Sequence, residues 1–152
     1  MGREAQGAAM SAKDTITLGV QAGDSNAGNT TEPYFMPLRK LLASMCKGPY
    51  SPEVDEFALI LRIDGEGWHW DFEGCQKLRR SKKDRYITID IGVPRNRWEN
   101  VSPTEMRQYL VGNVEVALRL CIDRLIKDKV EINADGLMAD LQKVKAAYLL
   151  DE

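Results

Sequence analysis

The strand pattern of this chain centres on residues 57–74, which read FALILRIDGEGWHWDFEG. The first half is rich in branched and aromatic apolar residues, and DGEG follows it as a turn signal. Because successive residues of a strand point to opposite faces, a hairpin here would place Trp68, Trp70 and Phe72 in the core, opposite the apolar residues of the first strand. The outward face would carry the polar residues His69, Asp71 and Glu73.

Upstream of this hairpin the sequence predicts less structure. DTITLGV, residues 14–20, reads as a short strand, and apolar residues from Phe35 onward recur at helical spacing until KGP ends the helix. GDSNAGNTTEP between them is small and polar, which predicts a mobile loop. The sequence is therefore divided into a largely flexible N-terminal segment, residues 1–31, that contains the short strand, and an α+β domain, residues 32–152.

Downstream, RYITIDIG, residues 85–92, alternates isoleucine with polar residues as a half-buried strand does. The CQKLRRS segment before it can pair with it across the KKD turn. SPTE at Ser102 predicts a capping box that starts a long helix ending near Lys129, and a last helix follows over about residues 135–149. The expected fold is a single α+β domain in which an antiparallel β-meander packs against about three α-helices.

The composition places the chain among ordinary globular proteins, with 152 residues, 43% hydrophobic residues and a formal net charge of −2. Its apolar runs are short and its N-terminus lacks the apolar region of a signal peptide, so a cytoplasmic protein without membrane contact is expected. Three widely spaced cysteines favour reduced thiols over a disulfide framework.

The sequence contains few of the residues and motifs that are typical of an active site. His69 is the only histidine, and the chain has no phosphate-binding loop, no dinucleotide fingerprint and no C-x-x-C pair. Asp71 and Glu73 would stand about 7 Å apart on one strand, which suits paired-carboxylate chemistry, but outward-facing carboxylates are usually only solvated. The sequence therefore predicts a protein that is not an enzyme and that uses neither a cofactor nor a metal.

Residues 77–97 form the most basic part of the chain. Eight Lys or Arg stand there against two acids, a local charge of +6, whereas the rest of the chain carries −8. With Tyr86 and Trp98 interleaved, such a stretch could bind nucleic acid, and this is the alternative function. No signature of a known nucleic-acid-binding module accompanies it, and basic runs in turns are most often solvated.

The order of these segments resembles that of small immunity proteins encoded beside bacterial polymorphic or contact-dependent inhibition toxins. The resemblance spans residues 34–149 and rests on the stretches W-x-W-D-F-E-G and Y-I-T-I-D-I-G-x-P-x-x-R-W. It implies a non-enzymatic, cytoplasmic protein that binds the C-terminal domain of one cognate toxin and blocks its active site. Charge complementarity would serve such capture better than chemistry would.

Two surfaces are candidates for binding this partner. One is the polar side of the aromatic stretch, with His69, Asp71 and Glu73. The other is the basic turn (residues 79–85), which is preferred because many toxin domains work through carboxylates or metals; its candidate residues are Arg79, Arg80, Lys82, Lys83 and Arg85. If neither surface is used, the last helix and the PRNRW segment, with Arg95 and Arg97, are expected to bind the partner instead.

Overall fold

The computed structural model describes residues 14–150, which form one α+β domain of three helices and a four-stranded sheet. The fold class and the number of helices are therefore as predicted. The strands are β1 (Ile16–Ala22), β2 (Glu56–Ile63), β3 (Gly74–Ser81) and β4 (Tyr86–Val93). The helices are α1 (Ser25–Met45), α2 (Pro103–Lys127) and α3 (Ala134–Leu150).

The sheet is mixed and has the order β1-β2-β4-β3, which corrects the predicted meander. β2 pairs in parallel with β1 on one side and with β4 on the other, and only β3 and β4 are antiparallel. The predicted hairpin over residues 57–74 is wrong, since beyond β2 the chain makes just one isolated bridge, Gly65 to Trp68. β2 has a continuous row of apolar side chains on one face, and β1 and β4 offer rows of branched apolar side chains that match it in register.

The core lies between one face of the sheet and the three helices. The inward row of β4 is Ile87, Ile89 and Ile91, as the sequence predicts, and α2 buries a wide stripe that includes Leu110, Val114 and Cys121. The strand predicted at residues 14–20 is found as β1. The CQKLRRS segment forms β3 and pairs with β4 as predicted, with an irregular register between Gln76 and Arg79.

Helix α1 begins ten residues earlier than predicted, at Ser25, so the loop expected for GDSNAGNTTEP is wrong. Asp24 is its N-cap and accepts a hydrogen bond from the Ala27 amide (2.7 Å). The first turns bury only the small side chains Ala27 and Thr31, which leave no apolar periodicity in the sequence. Thr31 satisfies its buried hydroxyl by donating to the Ala27 carbonyl (2.6 Å).

The other helix boundaries follow the sequence closely. Ser102 caps α2 and Glu105 reaches back to the Ser102 amide, so both hydrogen bonds of the predicted capping box are present. Helix α3 starts and ends within a residue of its predicted limits. The mobile tail predicted for residues 1–13 falls outside the part of the chain that the structure describes.

Candidate partner-binding surfaces

The two candidate surfaces lie at opposite ends of the sheet. The tryptophan loop (residues 64–73) follows the C-terminal end of β2, whereas the basic turn precedes the N-terminal end of β4. Since β2 and β4 run parallel with Ile63 beside Val93, these two positions are a full strand length apart. The structure therefore separates the residues that the sequence proposes for partner binding into two groups.

The backbone of the tryptophan loop is held by hydrogen bonds to buried or helical elements. The carboxylate of Asp24 caps α1 with one oxygen and accepts from the Glu66 amide with the other. Asp64 accepts from the Trp70 amide at its carboxylate (2.6 Å) and from the Trp98 indole at its carbonyl (2.9 Å). These bonds fix a loop that has no strand partner. The hydrogen bonds from the Ala27 and Glu66 amides also lower the pKa of Asp24.

Trp68 and Trp70 do not enter the core, contrary to the prediction. Trp68 is 51% exposed, and its ring centroid lies 5.4 Å from that of the half-buried Trp70. The guanidinium of Arg62 lies over the Trp70 ring, 5.0 Å from its centroid. Arg62, Trp70 and Trp68 thus form a stack that runs from the open face of the sheet to the loop surface.

Phe72 is also half-buried, and its position depends on Gly92 in β4. A β-carbon at Gly92 would come 2.2 Å from the Phe72 carbonyl oxygen, so only glycine lets the loop approach the sheet this closely. The loop consequently covers the open face of β4 at its C-terminal end. Asp90, two residues earlier on the same face of β4, is only 1% exposed.

The three polar residues of the loop do not act alike. His69 and Asp71 project together, with side chains 74% and 99% exposed and 3.6 Å between the imidazole and the carboxylate. Glu73 instead accepts a 2.7 Å hydrogen bond from Arg97, whose guanidinium lies 5.1 Å from the Tyr109 ring centroid. Desolvation, aided by the Glu73 charge, raises the pKa of Tyr109 to about 12. Glu73 therefore anchors the end of the loop.

At the basic turn the arginines are already paired with acids from other parts of the chain. Arg80 has a side chain only 4% exposed and lies 3.0 Å from Asp128 and 3.7 Å from Glu53. The remaining arginines behave similarly: Arg79 lies 3.6 Å from Asp90, and Arg85 lies 2.8 Å from Asp55. The hydrogen bond to Asp55 raises the pKa of Arg85 further. The excess positive charge of the basic turn is thus largely offset by acidic side chains that the fold brings close to it.

Lys82 and Lys83 differ from these arginines, since both are exposed and neither has an ion pair within residues 14–150. In the PRNRW segment, Arg95 lies 4.0 Å from Glu99, and Arg97 is bound to Glu73 as described above. Of the basic candidate residues, only Lys82 and Lys83 therefore lack an acidic partner within residues 14–150. Apart from Glu99, which follows Arg95 by four residues, the compensating acids belong to other strands, helices or loops, so no local signal could have identified them.

A cleft of about 580 Å³ opens beside the basic turn and is lined by Tyr50, Asp55, Arg85 and Asn133, among others. Tyr50 donates a 2.6 Å hydrogen bond to Asp140, and burial raises the pKa of this phenol, so it is a poor acid or base. Burial also raises the pKa of the three thiols, to about 11 for Cys46 and Cys75 and about 12 for Cys121. Thiolate nucleophiles are thus scarce at neutral pH.

Within residues 14–150, no group of three or more His, Cys, Asp or Glu side chains stands close enough to hold a metal ion. No helix of this part combines the length and the apolar character that a membrane crossing requires.

A family model described as Immunity protein 44 matches residues 21–147, a range that contains the tryptophan loop, the basic turn and most of all three helices. No curated protein and no solved structure matches the chain.

Proposed function

The chain belongs to the Immunity protein 44 family, and from this premise we propose that it binds one cognate bacterial toxin domain and blocks the active site of that domain. The family match over residues 21–147 is the observation that carries the proposal. The toxin is of the polymorphic or contact-dependent inhibition type, its C-terminal domain is the partner, and capture takes place in the cytoplasm of the cell that carries both genes.

The chemistry of the surface supports binding rather than catalysis. The arginines at both ends of the sheet contact acidic side chains in ion pairs, and burial raises the pKa of the buried phenols and thiols, which keeps these groups neutral at neutral pH. Such groups can recognise a partner but supply no activated nucleophile or base at neutral pH. The chain therefore acts by stoichiometric occupation of the toxin and not by turnover.

The alternative of nucleic-acid binding through residues 77–97 receives little support from this arrangement. Arg79, Arg80 and Arg85 each face a carboxylate, and a phosphate would have to displace it. Counterion release at a nucleic acid needs a row of unpaired cations. Among residues 77–97 three exposed lysines, Lys77, Lys82 and Lys83, lack an ion pair within the described part of the chain, and Lys77 lies 6.0 Å from the Phe72 ring centroid, so these cations form too short a row for tight binding.

Co-expression tests the proposal directly. The C-terminal domain of the toxin encoded beside this gene is produced in bacteria with and without the chain, and growth and co-purification are recorded. Rescue of growth together with a one-to-one complex supports the proposal. The matched control is an unrelated toxin domain, which the chain should neither bind nor neutralise. Growth arrest in spite of abundant folded chain would contradict the proposal.

A further inference from the structure

The tryptophan loop has the properties of a surface that enters a partner. We propose that this loop, rather than the basic turn, docks in the toxin, and that it occupies a positively charged cleft in which the toxin domain binds single-stranded nucleic acid. The inference rests on the proposed function and deepens it, because it names the docking residues and the substrate class of the toxin.

The first argument is the exposure of Trp68. Of the aromatic side chains in residues 14–150, it is the most exposed, and the others are buried or half-buried. An exposed tryptophan has a large apolar area that is removed from water when a partner covers it. Tryptophan is among the residues that contribute most to binding at protein interfaces. The Trp70 ring packs against it with the two ring planes tilted by 42°, and the Arg62 guanidinium lies over Trp70. The ring is thus presented to a partner.

The second argument is the charge around that ring. The loop contains four carboxylates and no lysine or arginine. Asp64 and Glu73 are used internally, by the Trp70 amide and by Arg97, whereas Glu66 and Asp71 are exposed. The projecting part of the loop is therefore one flat ring beside two exposed carboxylates, with His69 3.6 Å from Asp71, and the carboxylates complement a positively charged concave site.

The third argument connects this pattern to a substrate. Proteins bind single-stranded nucleic acid with cationic side chains along the phosphates and with planar side chains on which the bases stack. An indole between two carboxylates satisfies both requirements, since the ring replaces a base and the carboxylates replace phosphates. A cleft with this chemistry would accept the loop in place of an unpaired nucleotide, so the toxin would be a nuclease or another enzyme acting on nucleic acid.

The fourth argument is preorganisation. Asp24, Asp64 and Trp98 hold the loop backbone by hydrogen bonds, and the Phe72 carbonyl packs on Gly92. Little conformational freedom remains to be lost on binding, which favours tight association. At the basic turn, by contrast, the arginines are already paired, and the two exposed lysines have long side chains that would lose rotamer freedom on binding.

The experiment measures binding of the full chain to the neighbouring toxin domain by surface plasmon resonance. Trp68→Ala should raise the Kd at least about 30-fold, as expected for a central interface residue, and Trp68→Phe should lose less because it keeps a ring. The double variant Glu66→Lys/Asp71→Lys should slow association, with an effect that shrinks at high salt. The matched control at the opposite end, Lys82→Glu/Lys83→Glu, should leave the Kd within about threefold.

A competition arm tests the substrate class. Single-stranded DNA and RNA oligonucleotides of about 12 nucleotides, within the usual site sizes, should displace the wild-type chain from the toxin domain. Failure of both oligonucleotides to compete overturns the nucleic-acid cleft. If Trp68→Ala and Glu66→Lys/Asp71→Lys both bind the toxin domain as the wild type does, and unfold at the same temperature, the proposal that this loop docks in the toxin is overturned. Lack of any complex with the wild-type chain refutes the proposed function itself, and this inference with it.

Discussion

The two ends of the sheet carry their charges in different ways. At the basic turn, arginines that are dense in sequence are matched by distant acids, and the charge is largely offset within the fold. At the tryptophan loop, the hydrogen bonds fix the backbone while Trp68, His69 and Asp71 stay exposed. A cluster of like charges in sequence is thus a poor guide to the charge of the folded surface.

The first test of this contrast asks whether the loop is held on the sheet. Gly92→Ala places a methyl group against the Phe72 carbonyl, and we expect it to destabilise the fold by about 2–3 kcal/mol, measured by urea unfolding. The control is Gly112→Ala in α2, where a β-carbon meets nothing within 4 Å and helix propensity should raise stability slightly. Equal stability of the two variants would mean that the loop is only loosely attached.

A second test concerns the basic turn, where Arg80 is expected to be structural. Arg80→Met should lower the free energy of unfolding by about 1–2 kcal/mol, because it leaves Asp128 and Glu53 without their nearly buried partner. Chemical denaturation at low and high salt measures the loss. Wild-type stability for this variant would show that Arg80 is available for a partner after all.

A third, smaller effect is expected at Asp24, which links the loop to α1. Asp24→Ala should lower the Tm by about 3 °C, whereas Asp24→Asn keeps a capping oxygen and should lose less. Hydrogen bonds lower the pKa of Asp24 below its usual 3.8, so its ionised form stabilises the fold above that pH. This stabilisation disappears as the pH falls through the folded-state pKa.

The pH dependence separates the two roles of Asp24. In thermal melts, the difference in Tm between the wild type and Asp24→Asn should be full above about pH 4 and should shrink toward pH 2 as the wild-type carboxylate is protonated. A difference that stays constant over this range would assign the whole effect to the geometry of the cap and none to its charge.

The smallest effect is expected at the tip of the basic turn. Lys82→Glu and Lys83→Glu, singly or together, should change the free energy of unfolding by less than about 0.5 kcal/mol, because neither lysine has an ion pair to lose. Equilibrium unfolding in urea is a sufficient measurement. A larger loss would reveal an interaction of the turn that the contrast between the two ends overlooks.

Features that depend on neighbouring residues could be predicted from the sequence. The isoleucine row of β4, the pairing of β3 with β4 across a short turn, and the Ser102–Glu105 capping box all arise within a few residues. Prediction from the sequence fails where segments that are far apart in the chain compete for pairing with the same strand. The apolar row of β2 could pair with any apolar strand, but β2 pairs with β1 and β4 and not with the aromatic stretch that follows it directly.

The candidate site shows the same division. The aromatic stretch could be recognised as unusual, but its alternation suggested a strand, and the exposure of Trp68 follows only from the loss of that strand. The acids that neutralise Arg80 and Arg85 come from other elements. Asp24 was the one anchor with a local signal, because Asp followed by Ser and Asn is typical of a helix N-cap.

The order of strands in the sheet has a consequence for synthesis of the chain. β4 is the last strand to leave the ribosome, yet it lies between β2 and β3. Until Val93 has emerged, β2 has one edge unpaired, and an open apolar edge of this kind invites aggregation. The tryptophan loop also needs Gly92 and Trp98 before it can take its shape. A nascent chain therefore contains the whole sequence of the tryptophan loop well before that loop can take its folded shape.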